Sequence, residues 1–389
     1  MSEEKNVLFT KGNDAYHDEL IDLINYVFNM NGRENDFYRL LPKLYKKEYH
    51  PSQFNYLALE DNKIKAAVGS YPGEMYVCGS KLTYEGIGNV AVHPYCNSKG
   101  YMKILMNQAV DAMIRNDVDF SSLAGRRNRY AYFSYEIVGR KYSFWLDESN
   151  IKHNFRKDRK ERFQFVLVDE KNVIALDEIA KLQNKQITYY EREDSKLFDY
   201  LKNWKDVDVY GIYEENRFSG YLLCYNKNTI KEIQLTTKED IQDVVADFLN
   251  NVTKSGLTLE VPDYQRYYVD SLSKIAESVS IQDKENFSVF NYGKVIEAFL
   301  KLKAKTDPIA DGEIVFNIHG KKKDEKLLIS VKGETITVKP TEQETTYEYA
   351  HLEAMQLLFG NYSPLRTKLP IEVQSWLPLP LYIFPADEV

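Results

Sequence analysis

The segment that most constrains the fold of this chain lies between residues 87 and 114. Ile87-Gly88-Asn89-Val90-Ala91-Val92 is a short apolar run. His93-Pro94-Tyr95-Cys96-Asn97-Ser98-Lys99-Gly100 is polar and ends on glycine, and beyond it Met102, Leu105, Met106, Ala109, Val110, Met113 and Ile114 recur at helical spacing. Strand, Gly-ended loop and long amphipathic helix make an α/β layer in which each element needs a facing partner. The turn also leaves backbone N–H groups unpaired at the positive end of the helix dipole, which is a place for an anion. Neither GxGxxG nor GxxxxGK[ST] is present, so the phosphate expected there belongs to a cofactor other than a dinucleotide or a P-loop nucleotide.

The rest of the chain is organised around this segment. Leu20, Ile21, Ile24, Val27 and Phe28 predict a helix over residues 15–30, and a second follows from Asp36 to Tyr45. Short apolar runs at Tyr56–Leu59, Ile64–Ser70 and Glu74–Cys78, divided by Asp-Asn, Pro-Gly and Gly-Ser turns, predict an antiparallel meander. The basic stretch Arg156 to Arg162 reads as a solvated boundary near residue 150. Between 163 and 290 the strand and helix order echoes the first part, but Thr-Thr-Lys-Glu-Asp, without glycine, stands before its last helix. Residues 291–389 read as a small α+β unit, with a helix from Tyr347 to Phe359 whose Ala350, Leu352, Met355 and Leu358 form a core stripe. The expected domains are therefore 1–150, 151–290 and 291–389.

With these elements in place, Val90 to Met102 resembles motif A of the GNAT N-acetyltransferases, a V-x-V strand followed by P-x-x-[QR]-x-x-G-x-[GA]. Asn97 stands in place of Gln or Arg, and Met102 in place of the last small residue. Tyr135-Glu136-Ile137-Val138-Gly139 resembles the Tyr-x-x-x-Gly-[FY] signature downstream. Met102 and the three-part order are similar to the enhanced intracellular survival (Eis) type. That resemblance implies an α/β (α+β) architecture: tandem GNAT folds with mixed central sheets flanked by helices, the second degenerate, and a sterol-carrier-like C-terminal domain. It also implies acetyl-CoA as cofactor, bound by Asn89, Val90, Ala91, Val92, Asn97, Ser98, Lys99, Gly100, Tyr101 and Met102. Tyr135 is then the general acid, with Tyr130, Tyr132 and Tyr142 as nearby rivals, and the carboxylate of Val389 is the general base. A hexamer is implied as well.

The residues themselves bear on that transfer. Trp376 to Val389 is apolar and carries Pro378, Pro380 and Pro385, as a segment threaded into a groove would. Its tip bears Asp387, Glu388 and the Val389 carboxylate, whose mutual repulsion is expected to raise a carboxyl pKa and attract an amine. Gly125-Arg126-Arg127-Asn128-Arg129 is a solvated loop or a contact for the phosphates of CoA.

Composition narrows the classes. A net charge of -7 argues against nucleic acid and anionic membranes as partners. Cys78, Cys96 and Cys224 are too scattered for a disulfide framework, and the six histidines lack metal-ligand spacing, so no metal is expected. No G-x-S-x-G elbow occurs. With neither a signal core nor a membrane span in the sequence, a cytoplasmic location is expected. The expected activity is acetyl transfer to a primary amine of a cationic, aminoglycoside-like small molecule or a Lys side chain. A lipid carrier or acyl-CoA sensor on a non-catalytic scaffold is the alternative.

Overall fold

The computed structural model describes residues 7–30, 32 and 35–389. Thirteen strands make one mixed sheet. The first half contributes β1 (Val7–Lys11), β2 (Asn55–Glu60), β3 (Lys63–Val77), β4 (Ser80–Val92), β5 (Phe120–Leu123) and β6 (Glu136–Asp147). The second contributes β7 (Phe163–Leu167), β8 (Thr188–Tyr190), β9 (Val207–Glu214), β10 (Arg217–Tyr225), β11 (Thr229–Leu235), β12 (Gly256–Pro262) and β13 (Ser278–Val289). The order β1-β2-β3-β4-β5-β13-β6-β12-β11-β10-β9-β7, with β8 on β3, contains an exchange. β6 leaves its own lobe to pair with β12, and β13 takes the place beside β5. Each lobe thus completes the other's sheet, and the two are joined by a ladder of backbone hydrogen bonds.

Helices cover both faces, as a mixed sheet requires. Leu20, Ile21 and Ile24 of helix His17–Asn29 pack with Leu57, Ala67 and Ala91, while Leu105, Met106, Ala109 and Met113 of helix Tyr101–Arg115 pack with Ala58, Ala66, Val68 and Ile87. The alternation along β2–β4 sends successive side chains to these two cores.

Several elements differ from the sequence reading for local reasons. The helix expected over Asp36–Tyr45 breaks at Leu41, because Pro42 cannot donate into the preceding turn. β3 runs unbroken through Pro72-Gly73: Pro72 lies where the far edge of β3 is unpaired, after β2 ends at Gly69 and before β8 begins at Met75. Glu348–Ala350 joins a sheet as a strand, so the last long helix starts at His351.

Residues 292–389 form helix Tyr292–Thr306, a sheet of β14 (Gly312–His319), β15 (Asp324–Lys332), β16 (Thr335–Pro340) and β17 (Glu348–Ala350) in the order β16-β15-β14-β17, and helix His351–Phe359. From Trp376 to Ala386 the tail is almost wholly buried, and it runs back between the two lobes. Among the described residues no helix is long and apolar enough to cross a membrane.

Candidate active site

β4 and β5 are parallel neighbours only from Tyr84/Phe120 to Ile87/Leu123, after which they part. The cause is in β4. Between the pairs Gly69–Gly88 and Ala67–Ala91, β4 carries one residue more than β3, a bulge at which Asn89 takes φ 42°. Only a residue that tolerates the left-handed region fits there, and the Asn89 side chain is itself fixed, donating to Asn55 Oδ1 at 2.8 Å and accepting from Tyr71 Oη at 3.4 Å. The gap opened by the bulge holds a cavity of about 420 Å³.

Its lining comes from five parts of the sequence. Gly88, Asn89 and Val90 form one wall, and Gly125, Arg126, Arg129 and Tyr130, after β5, the opposite one. Val27, Phe28, Phe37, Leu40, Leu41 and Trp204 make an apolar side, and Val389 enters from the tail. A Cβ on Gly86 would stand 2.5 Å from Val389 Cγ2, and one on Gly88 3.3 Å from the Val389 carboxyl carbon, so these glycines are the floor on which the tail end rests. Among the described residues no hydrogen bond reaches the Val389 carboxylate.

The tail is held firmly. Lys43 Nζ donates to Ala386 O at 2.7 Å, Asn203 Nδ2 to Pro385 O at 2.8 Å and Glu388 O at 2.9 Å, and Trp204 Nε1 to Pro385 O at 3.0 Å. Arg192, 1% exposed, grips Asp387 through two bonds of 2.9 and 2.8 Å and Glu232 through two of 2.9 Å. Glu388 pairs with Lys284. The expectation of three acids acting together at the tip is therefore corrected: Asp387 and Glu388 are neutralised anchors, and only the Val389 carboxylate is left facing the cavity. Burial pushes the Lys43 ammonium down to about 7, against the pull of Asp387.

A second cavity, about 640 Å³, adjoins the first at Arg129. Val92, Asn97, Ser98, Gly100, Tyr101 and Met102 line it, with Tyr132 and Phe133 opposite. Ser98 and Gly100 have φ of 68° and 80°, which curls the loop so that its amides precede the helix N-terminus. Helix Tyr101–Arg115 has no side-chain cap and no acid in its first turn, so no carboxylate of that turn competes for an anion there. Two residues of the expected set stand apart: Lys99 Nζ is tied to Glu60 at 2.7 and 3.0 Å, and the Ala91 side chain is in the core under helix His17–Asn29. Asn97, Ser98, Gly100 and Met102 thus stand in the cavity wall beside an open helix end, a setting that suits a phosphate group.

The tyrosines separate clearly. Tyr135 is fully buried, and its hydroxyl lies 2.7 Å from Ser121 Oγ. Ser121 already donates to Glu85 O at 2.6 Å, so Tyr135 spends its proton on Ser121. Tyr135 lines neither cavity, Tyr132 is 85% exposed, and Tyr142 packs against Phe144 in the second lobe's core. Tyr130 lines the cavity that holds Val389, and its ring lies so close over Gly125 that a Cβ there would be 2.3 Å from it. Burial raises the Tyr130 phenol pKa, against the opposing charge of Arg129. Tyr130-Ala131-Tyr132-Phe133-Ser134-Tyr135 has the spacing of the signature too, with Ser134 at φ 70° where the signature has glycine. Gly139 has a different duty: the tail crosses it, and a Cβ would be 2.8 Å from Leu381 O.

Comparison with known proteins agrees with this geometry. Residues 9–140 match the family model of the acetyltransferase (GNAT) domain. No curated protein is similar enough in sequence to match. Among solved structures, a GCN5-related N-acetyltransferase from Anabaena variabilis superposes with TM-score 0.67 at 14% identity, covering 96% of each chain. One from Kribbella flavida gives 0.65 at 13% identity over 97% of this chain and 96% of that one, and Eis1 from Mycobacterium abscessus 0.62 at 13% over 99% and 98%. Residues 9–140 thus resemble a GNAT acetyltransferase domain, and they are set in a whole-length fold shared with these GCN5-related N-acetyltransferases.

Proposed function

We propose that the protein is an acetyl-CoA-dependent N-acyltransferase whose acceptor is a compact amine with an apolar body, with Tyr130 as general acid and the Val389 carboxylate as general base. The observation that carries this reading is the meeting of Val389, the bulged segment Gly88–Val90 and Tyr130 in one cavity next to an open helix N-terminus. When bound, acetyl-CoA supplies an acyl group activated as a thioester. Asn97, Ser98 and Gly100 hold its phosphates, and the β4 backbone past Ile87, no longer paired with β5, offers amides that polarise a carbonyl. The Val389 carboxylate takes the proton an ammonium must lose before it can attack. Tyr130, kept protonated by burial, holds the proton a departing sulfur needs.

The acceptor class expected from sequence is revised. The cavity offers Phe28, Phe37, Leu40 and Trp204, the two cations Arg126 and Arg129, and no Asp or Glu side chain in its lining. A polycationic aminoglycoside would meet arginines rather than carboxylates. One amine on an aryl or alkyl body meets an apolar wall and a single carboxylate, and a Lys side chain shares that chemistry on a narrower stem.

Thiol release from acetyl-CoA tests the reading with an arylalkylamine, a blocked lysine and an aminoglycoside as acceptors. The arylalkylamine is expected to give the highest kcat/KM. Tyr130→Phe, or one residue appended after Val389, should lower kcat by about 10²-fold or more while CoA affinity stays the same. Equal activity of Tyr130→Phe and wild type removes Tyr130 from the chemistry, and a preference for the aminoglycoside removes the acceptor class.

A further inference from the structure

The second lobe repeats the strand divergence of the first. β11 and β12 are parallel partners only at Thr229/Thr258 and Ile230/Leu259, and past these pairs they separate as β4 and β5 do. Between their far ends lies a cavity of about 690 Å³, walled by Gln234–Thr236 on one side and Tyr264–Tyr268 on the other. Its volume is that of a small-molecule pocket, roughly 300–1,000 Å³. The cavity differs in charge from the protein around it. Lys185, Lys238 and Lys305 line it and make no ion pair among the described residues, whereas Glu239 is the one carboxylate in the lining, in a chain of net charge -7. Arg266 is already balanced by Asp263 at 2.9 Å and Asp307 at 3.0 Å. Tyr267 is 39% exposed, with Lys238 Nζ 5.1 Å from its ring centroid, so a flat apolar face and a cation stand side by side. Thr188, 3% exposed, also lines the cavity, and its Oγ1 has no hydrogen-bond partner among the described residues.

We infer that this cavity is a second ligand site, separate from the acyl-transfer centre, for an anion carrying a planar ring and of about mononucleotide size. Tyr267 stacks the ring, and the three lysines, drawn from separate elements, receive the anionic group. The ligand cannot sit as CoA does in the first lobe, because Glu239 and Asp240 stand at the start of the helix that follows β11.

Titration calorimetry on the full chain reads the site, with CoA stoichiometry measured first and AMP, adenosine and inorganic phosphate then added to the CoA-saturated protein. AMP is expected to bind one equivalent, with adenosine and phosphate each about tenfold weaker or more. Tyr267→Ala and Lys305→Ala, both at exposed positions, should each weaken AMP by about tenfold while thiol release and thermal midpoint stay unchanged. A second equivalent of CoA that disappears in Tyr267→Ala supports the site equally, since CoA carries the same ring and phosphates. The inference is overturned if neither AMP nor a second CoA binds, or if what binds is indifferent to both substitutions.

Discussion

In the first lobe the helix after the diverging strand begins at Gly100, φ 80°, with no acid in its first turn; in the second, the turn Lys238–Asp240 places Glu239 and Asp240 before helix Ile241–Phe248. One sheet plan therefore yields two electrostatic outcomes. An uncapped N-terminus behind a left-handed glycine awaits an external anion, while one preceded by its own carboxylates is already answered from within, and Asp240 is further paired with Arg162 at 3.1 Å. The lobes also differ in what enters the gap between the parted strands. The tail end fills part of the first gap, and its anchors Arg192, Asn203 and Trp204 belong to the second lobe. The second lobe thus holds the chain end that lies in the first lobe's cavity.

That dependence gives the largest expected effect. Arg192→Ala strips the partner from Asp387 and Glu232, both 2% exposed, and leaves two buried carboxylates facing each other. Removing one member of a buried charge cluster costs about 3–5 kcal/mol, so chemical denaturation should show a loss of that order, with acyl transfer falling further than CoA affinity. Unchanged stability would mean that the tail is not held across the lobes.

A smaller effect lies in the same junction. Glu285 is half-buried with its Oε1 shielded from solvent, and desolvation together with Glu388 raises its carboxyl from 4.5 to about 8. Because its folded pKa is the higher one, the folded chain holds more protons than the unfolded chain between these values, and stability falls as pH rises from 4.5 toward 8. Glu285→Gln should flatten that slope and stabilise the protein at pH 7 by on the order of 1–3 kcal/mol. Measurement between pH 5 and 7 stays clear of Lys43, which titrates with the opposite sign above about 7. A slope that survives Glu285→Gln assigns it to another group.

How far the sequence discloses this molecule depends on the range of the interaction. Val90 to Gly100 and the helix after it were legible because strand period, glycine and helical stripe are local signals, and the apolar tail showed by composition that it would be buried. The strand exchange was not, since β6 and β13 choose partners more than a hundred residues away and nothing in their own residues names them. In the sequence Tyr130 stands only as a rival of Tyr135, because Ser134 holds the place where the signature has glycine, whereas Tyr135 is followed at that spacing by a true glycine, Gly139. The pairing of Asp387 and Glu388 was equally out of reach, because Arg192 and Lys284 stand far from them in the chain.

The smallest effect tests the comparison itself. If the open helix end is what separates the two lobes, then giving the first lobe an acid should carry it toward the second. Asn97→Asp does this with one nearly isosteric change in the loop before Gly100, beside the cavity and without touching Tyr130 or Val389. A charge at a helix N-terminus is worth about 0.3–1 kcal/mol, so CoA affinity should fall about two- to fivefold at low salt, and by less as added salt screens the charge. The reciprocal change, Glu239→Gln with Asp240→Asn, should leave CoA affinity in the first lobe unchanged. If Asn97→Asp binds CoA as wild type does at every salt concentration, the difference between the lobes rests on the backbone at Gly100 and not on charge.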